Sequence, residues 1–168
     1  MIHPIGTTKN GSAVSVDLVS SNAGPQIAQQ PHLAQLAQNL LSASDVKGDH
    51  VWLEGDMGQP IGICDVIETA ATDTIFYAQR LRSDVFVRYV KNRKLELTPF
   101  LSLELRRIDK NTYELLQVIF GHPLPPLPGE EGHTAKDREY WENHAFLWGD
   151  WPVNSRTTTK TCPWEAIP

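Results

Sequence analysis

Five side chains in this 168-residue chain are of the kinds that can cleave a phosphodiester without a metal: Arg80, Arg82, Arg88, Glu104 and His144. Such a reaction needs one group to take the proton from a 2′-hydroxyl and another to protonate the leaving oxygen, with cations on the phosphoryl oxygens. Glu104 and His144 form the titratable pair, and the arginines can grip phosphate through bidentate hydrogen bonds. Lys91, Arg93 and Lys94 add cations for binding a substrate, and Trp141, close to His144, supplies a ring on which a base can stack. The competing reading is structural. Arginines on strands usually face water, and a histidine near a tryptophan is commonly a packed, hydrogen-bonded residue.

Other chemistries lack their residues. His122, His133 and His144 recur at intervals of eleven, whereas metal ligands on one element come at i, i+3 or i+4, and there is no H-E-x-x-H or Cys/His cluster. No G-x-x-x-x-G-K-[ST], no G-x-G-x-x-G after a strand and no G-x-S-x-G elbow occurs. No metal and no cofactor is therefore expected. The two cysteines, Cys64 and Cys162, are far apart and form no disulfide framework; Cys64 reads as a small core residue.

The net charge of −5 opposes general nucleic-acid binding, but the charge is unevenly spread. Between Arg80 and Lys110 nine basic residues face four acidic ones, and the rest of the chain is strongly acidic. Such asymmetry can focus an anion onto one surface. No run of 18 apolar residues is present. The first eleven residues lack the pattern of a secretory signal. The expectation is a cytoplasmic protein without a membrane span, with export by a signal-less route left open.

Positioning falls to a helix and a set of strands. Leu33, Leu36, Ala37, Leu40 and Leu41 make one helical stripe, with Pro31 suited to the first turn. Strands are predicted over 14–19, 50–54, 61–68, 74–78, 84–91, 99–108 and 113–120. In the sixth of these Leu101, Leu103 and Leu105 point inward while Ser102, Glu104 and Arg106 point outward, the clearest alternation in the chain. The turn Asp109-Lys-Asn-Thr112 joins it to its successor as a hairpin. Residues 20–30 read as a loop. The prolines of 123–128 read as a stiff connection, with docking in a partner's aromatic groove as the alternative. Thr134-Ala-Lys-Asp137 has the spacing of a capping box and opens a short helix, followed by a strand at Ala145–Trp148. The tail is irregular, pinned by Trp151 and Trp164. The expected fold is α+β: a mostly antiparallel sheet of five to seven strands, one amphipathic helix packed on it and a short C-terminal helix. A single domain over 1–168 is expected, with irregular tails at 1–13 and 150–168.

Tyr140-Trp-Glu-Asn-His144-Ala-Phe-Leu-Trp, with Tyr113-Glu-Leu-Leu and the proline run before it, resembles uncharacterised bacterial domains that carry a Trp-x-x-His-Ala pattern. The layout from Leu33 to Trp148, an early helix and then a basic antiparallel sheet, resembles the barnase/EndoU/colicin D/RelE-like ribonuclease superfamily. That resemblance implies a metal-independent, RNA-directed nuclease, toxin-type in setting. The alternative is a noncatalytic interaction module, immunity-like or adaptor, that holds a protein through the acidic surface or the proline loop.

Overall fold

In the computed structural model the described residues are 1–80, 83–148 and 153–164. They cluster into two compact units, residues 1–63 with 97–123, and 64–96 with 124–168. The architecture is α+β, as expected. The expectation of one sheet shared by both halves of the chain differs from what is found: each unit has its own sheet, one of them five-stranded. The expected strand over 61–68 is broken at Cys64 and Asp65, so its two ends serve different sheets.

The first unit carries a five-stranded sheet. Its strands are β1 (Ile2–Thr7), β2 (Ala13–Asp17), β3 (His50–Asp56), β9 (Phe100–Asp109) and β10 (Thr112–Phe120), in the order β1-β2-β10-β9-β3. All pairs are antiparallel except β2 with β10. A small ribbon of β4 (Gly62–Ile63) and β8 (Leu97–Thr98) accompanies it. The helix α2 (Pro31–Ser42) buries Leu33, Ala37, Leu40 and Leu41 in a core with Leu53, Leu101, Leu103 and Leu105. Each such leucine contributes about 1.5–3 kcal/mol of burial before entropy is subtracted.

Two segments read as irregular are ordered elements. The lead-in contains β1, an edge strand with a bulge between Pro4 and Gly6; an edge needs no complete ladder, so it tolerates Pro4 and a weak alternation. The expected loop at 20–30 contains α1 (Ala23–Gln29). Ser21 starts it: its hydroxyl accepts from Ala23 N at 3.1 Å and donates to Leu115 O at 2.8 Å. Gly24 is required there, because a Cβ would stand 2.6 Å from the Asp17 carbonyl oxygen.

The second unit has a four-stranded sheet. It consists of β5 (Val66–Glu68), β6 (Thr74–Gln79), β7 (Phe86–Lys91) and β11 (His144–Leu147), in the order β5-β11-β7-β6. The pair β11–β7 is parallel and the others antiparallel. The helix α3 (Ala135–Asn143) starts with both halves of the capping box, Thr134 and Asp137 exchanging hydrogen bonds. The proline segment is held to its own unit: Trp141 Nε1 donates to Pro126 O at 3.1 Å, and Leu127 is buried. The described part of the tail runs beside β6, with Tyr77 and Thr159 exchanging backbone hydrogen bonds of 2.8 and 2.9 Å. Trp164 pins it, its Nε1 donating to Phe86 O at 3.1 Å; Trp151 lies outside the described residues. No helix among the described residues is long and apolar enough to cross a membrane.

Candidate active site

The set drawn from the sequence divides between the units. Arg80, Arg88, Lys91, Arg93, Lys94, Trp141 and His144 belong to the second, Glu104 to the first, and Arg82 lies outside the described residues. Within the second unit Arg88 and His144 are neighbours through the backbone. Arg88 Nη1 donates to the His144 carbonyl at 3.2 Å and to Thr69 Oγ1 at 2.8 Å. Their side chains nevertheless leave the sheet on opposite faces. Phe146 pairs with Tyr89, so alternation puts His144 on the face of Val87 and Tyr89. Arg88 projects from the other face, opposite Tyr77.

Most of the remaining members are occupied structurally. Trp141 is fully buried and stacked on Phe146, with ring centroids 5.5 Å apart, so it is a core residue and no platform for a base. The Arg80 guanidinium lies 4.5 Å from the centroid of Phe146, with Nε and Nη2 buried, which places it against the apolar core rather than at a phosphate. Arg93 is paired with Asp73 at 2.5 Å. Lys94 is exposed. His144 stacks on Tyr140 at 3.9 Å between centroids and its Nδ1 bonds the Tyr140 carbonyl at 2.8 Å. Burial pushes the Tyr140 phenol up to about 12. The alternation of 84–91 already puts Arg88 on the face of Phe86 and Val90; what the sequence does not give is the β7–β11 register, which sets His144 on the opposite face.

Titratable groups do converge on the first unit's sheet, on the face away from α1 and α2. On β3 the inward residues are Val51, Leu53 and Gly55, whose absent side chain makes room for Leu40 of α2. His50, Trp52, Glu54 and Asp56 therefore share the outer face. Across on β9 they meet Arg106, Glu104, Ser102 and Phe100 in that order. Two histidine–carboxylate pairs result. His50 Nε2 lies 2.7 Å from Glu104 Oε1. His122, just past β10, bonds Glu54 Oε1 through Nδ1 and packs on Phe100 at 4.6 Å between ring centroids.

The register sets the spacing. Glu104 stands opposite Trp52, so Glu54 is its diagonal neighbour, with Cα atoms roughly 7–8 Å apart. Trp52 lies between the two dyads, and Arg106 faces His50 while bonding Glu114 at 2.6 Å. The imidazoles are open to solvent, with side-chain exposures of 56% for His50 and 66% for His122, against 21% for Glu104. Each carboxylate accepts one ring N–H, which leaves Nδ1 of His50 and Nε2 of His122 as the nitrogens able to exchange a proton with a ligand. Ser102 points outward, as the alternation predicts, yet is fully buried and donates to Gly121 O at 2.7 Å.

Glu104 is the one member of this site that the sequence singles out. His50, Trp52, Glu54 and His122 are missed, although His50-x-Trp-x-Glu on one strand carries the signal: three polar or aromatic groups at every second position on a single face.

What the fold and this face define is an α+β chain whose first-unit sheet carries two histidine–carboxylate pairs with exposed imidazoles. No family model, curated protein or solved structure matches the chain.

Proposed function

We propose that the chain is a metal-independent, RNA-directed phosphodiesterase whose acid–base groups lie on the outer face of the β3–β9–β10 sheet. The observation that carries the reading is the occurrence of two histidine–carboxylate dyads, His50–Glu104 and His122–Glu54, on one sheet face on either side of Trp52, with both imidazoles exposed.

In the reaction one imidazole takes the proton of a ribose 2′-hydroxyl as O2′ bonds to phosphorus. The bond from phosphorus to the 5′ oxygen breaks, and the other imidazole, as imidazolium, protonates that oxygen. The products are a 2′,3′-cyclic phosphate and a 5′-hydroxyl. Glu104 and Glu54 hold the rings in orientation. Arg106, opposite His50 and bonded to Glu114 through Nη2, has further N–H donors to meet phosphoryl oxygens. Trp52 offers an aromatic surface to an unstacked base, which favours single-stranded RNA.

The test is incubation of the full chain with a single-stranded oligoribonucleotide in excess chelator. Appearance of 2′,3′-cyclic phosphate ends is expected. His50→Ala and His122→Ala should each lower the rate by about 10²-fold or more, the usual contribution of a positioned acid or base. Absence of cleavage, or full activity in the double variant, sinks the reading.

A further inference from the structure

Beyond the dyads, the second unit gathers two lysines on an aromatic pair. Phe76 of β6 and Trp148, just past β11, have ring centroids 6.0 Å apart. Lys91 Nζ lies 4.1 Å from the centroid of each. Lys160 Nζ lies 5.5 Å from Phe76. The register explains the grouping. Tyr77 pairs with Thr159, which sets Lys160 beside Phe76. Thr74 pairs with Lys91, one step along the same face from the Phe76–Tyr89 pair.

Both ammonium groups thus lie against the Phe76 ring, and none of the ion pairs found among the described residues involves either one. The rings fix the lysine heads, which otherwise carry large rotamer freedom, so less order is lost when an anion arrives. An ammonium carries three N–H donors, so one held over a ring can still donate to oxygen acceptors. Because the ammonium groups lie over the rings, these rings position cations and are not available to stack bases.

We infer that Lys91 and Lys160, held on Phe76 and Trp148, form a two-phosphate clamp for the backbone of single-stranded RNA. The clamp binds without regard to sequence, since it touches phosphates alone. It rests on the RNA reading above for the identity of its ligand, but it involves none of the residues assigned to proton transfer.

The experiment is equilibrium binding of a fluorescent oligodeoxyuridylate of about ten nucleotides to the full chain over a range of salt. Lacking the 2′-hydroxyl, this probe cannot be cleaved by the proposed reaction. The wild-type chain is expected to bind it, with affinity falling as salt rises. Lys91→Gln with Lys160→Gln should weaken binding about tenfold and reduce the slope of log K against log salt by about 1.4, or about 0.7 per phosphate on a single strand. Lys91→Arg with Lys160→Arg should restore both. Unchanged affinity and slope in the glutamine variant overturn the clamp, as does failure of the wild-type chain to bind. Equal competition by polyglutamate assigns the patch to acidic protein and also overturns it. A failed cleavage assay with this binding intact removes the nuclease reading alone; lost lysine dependence with cleavage intact removes the clamp alone.

Discussion

His50 and Glu104 meet at 2.7 Å across a strand diagonal, since the residue directly opposite His50 is Arg106 and the one opposite Glu104 is Trp52. The contact therefore depends on both the β3–β9 register and the reach of two side chains. Replacing Glu104 by Gln preserves shape and removes the charge that orients the imidazole. A carboxylate that orients a catalytic imidazole can be worth as much as about 10⁴ in kcat, so under the proposed reaction kcat should fall by about tenfold or more with little change in KM. Steady-state kinetics checks this, and an unchanged kcat would detach Glu104 from the chemistry.

Gly24 packs against the backbone of β2's exit. A Cβ there would lie 2.6 Å from Asp17 O and 2.7 Å from Leu18 Cα, both main-chain atoms that cannot swing aside. Gly24→Ala should destabilise the chain by about 1–3 kcal/mol, the ordinary cost of overpacking, seen as a lower urea midpoint with an unaltered m-value.

Thr134 caps α3, receiving Asp137 N at 3.3 Å while Asp137 Oδ2 accepts from Thr134 N at 2.8 Å. Thr134→Ala should cost about 1 kcal/mol. Since α3 carries the buried Trp141, amide exchange should quicken first in residues 135–143.

Asp73 gives the acid limb of stability. The Ala70 backbone N–H first, and then the Arg93 guanidinium, hold its carboxyl below the usual carboxylate value. A depressed folded-state value means stabilisation that is complete above the unfolded carboxylate pKa and disappears as pH falls through the folded one. Asp73→Asn should therefore flatten the acid side of a plot of unfolding free energy against pH while lowering stability near neutrality. An acid limb identical to that of the wild-type chain would refute the assignment.

Tyr140 acts at the other end of the scale. Its phenol is pushed up to about 12 by burial, so the folded chain resists ionisation that the unfolded chain undergoes near 10. Stability is complete below the unfolded value and is lost as pH rises from there through the folded one. Tyr140→Phe should remove part of that alkaline loss, measured by urea unfolding at successive pH values.

Much of the fold is legible because local periodicity reports it. The leucine stripe of α2, the alternation of β9, the short turn to β10 and the capping box before α3 each involve residues a few positions apart. α1 is hidden because its seven residues include Gly24 and Pro25 and show too little period. The site is less legible for a different reason. Glu104 stands out as a strand carboxylate, but its imidazole partner is 54 residues away, and the second dyad spans 68. The cations of 80–94 look like one cluster in the sequence; pleating sends Arg88 and Lys91 to opposite faces, and the apolar core takes Arg80.

The division into residues 1–63 with 97–123 and 64–96 with 124–168 makes the polypeptide cross from one body to the other three times. Neither body is then a contiguous stretch of sequence. A single nick or truncation cannot release one of them whole, and a gene fragment encoding either half would omit part of its own sheet. During synthesis β3 must wait for β9, and β5 for β11, before their ladders can close. Completion of both bodies is thereby tied to late-emerging chain, and dissection of the molecule calls for internal excision with a bridging linker in place of end deletion.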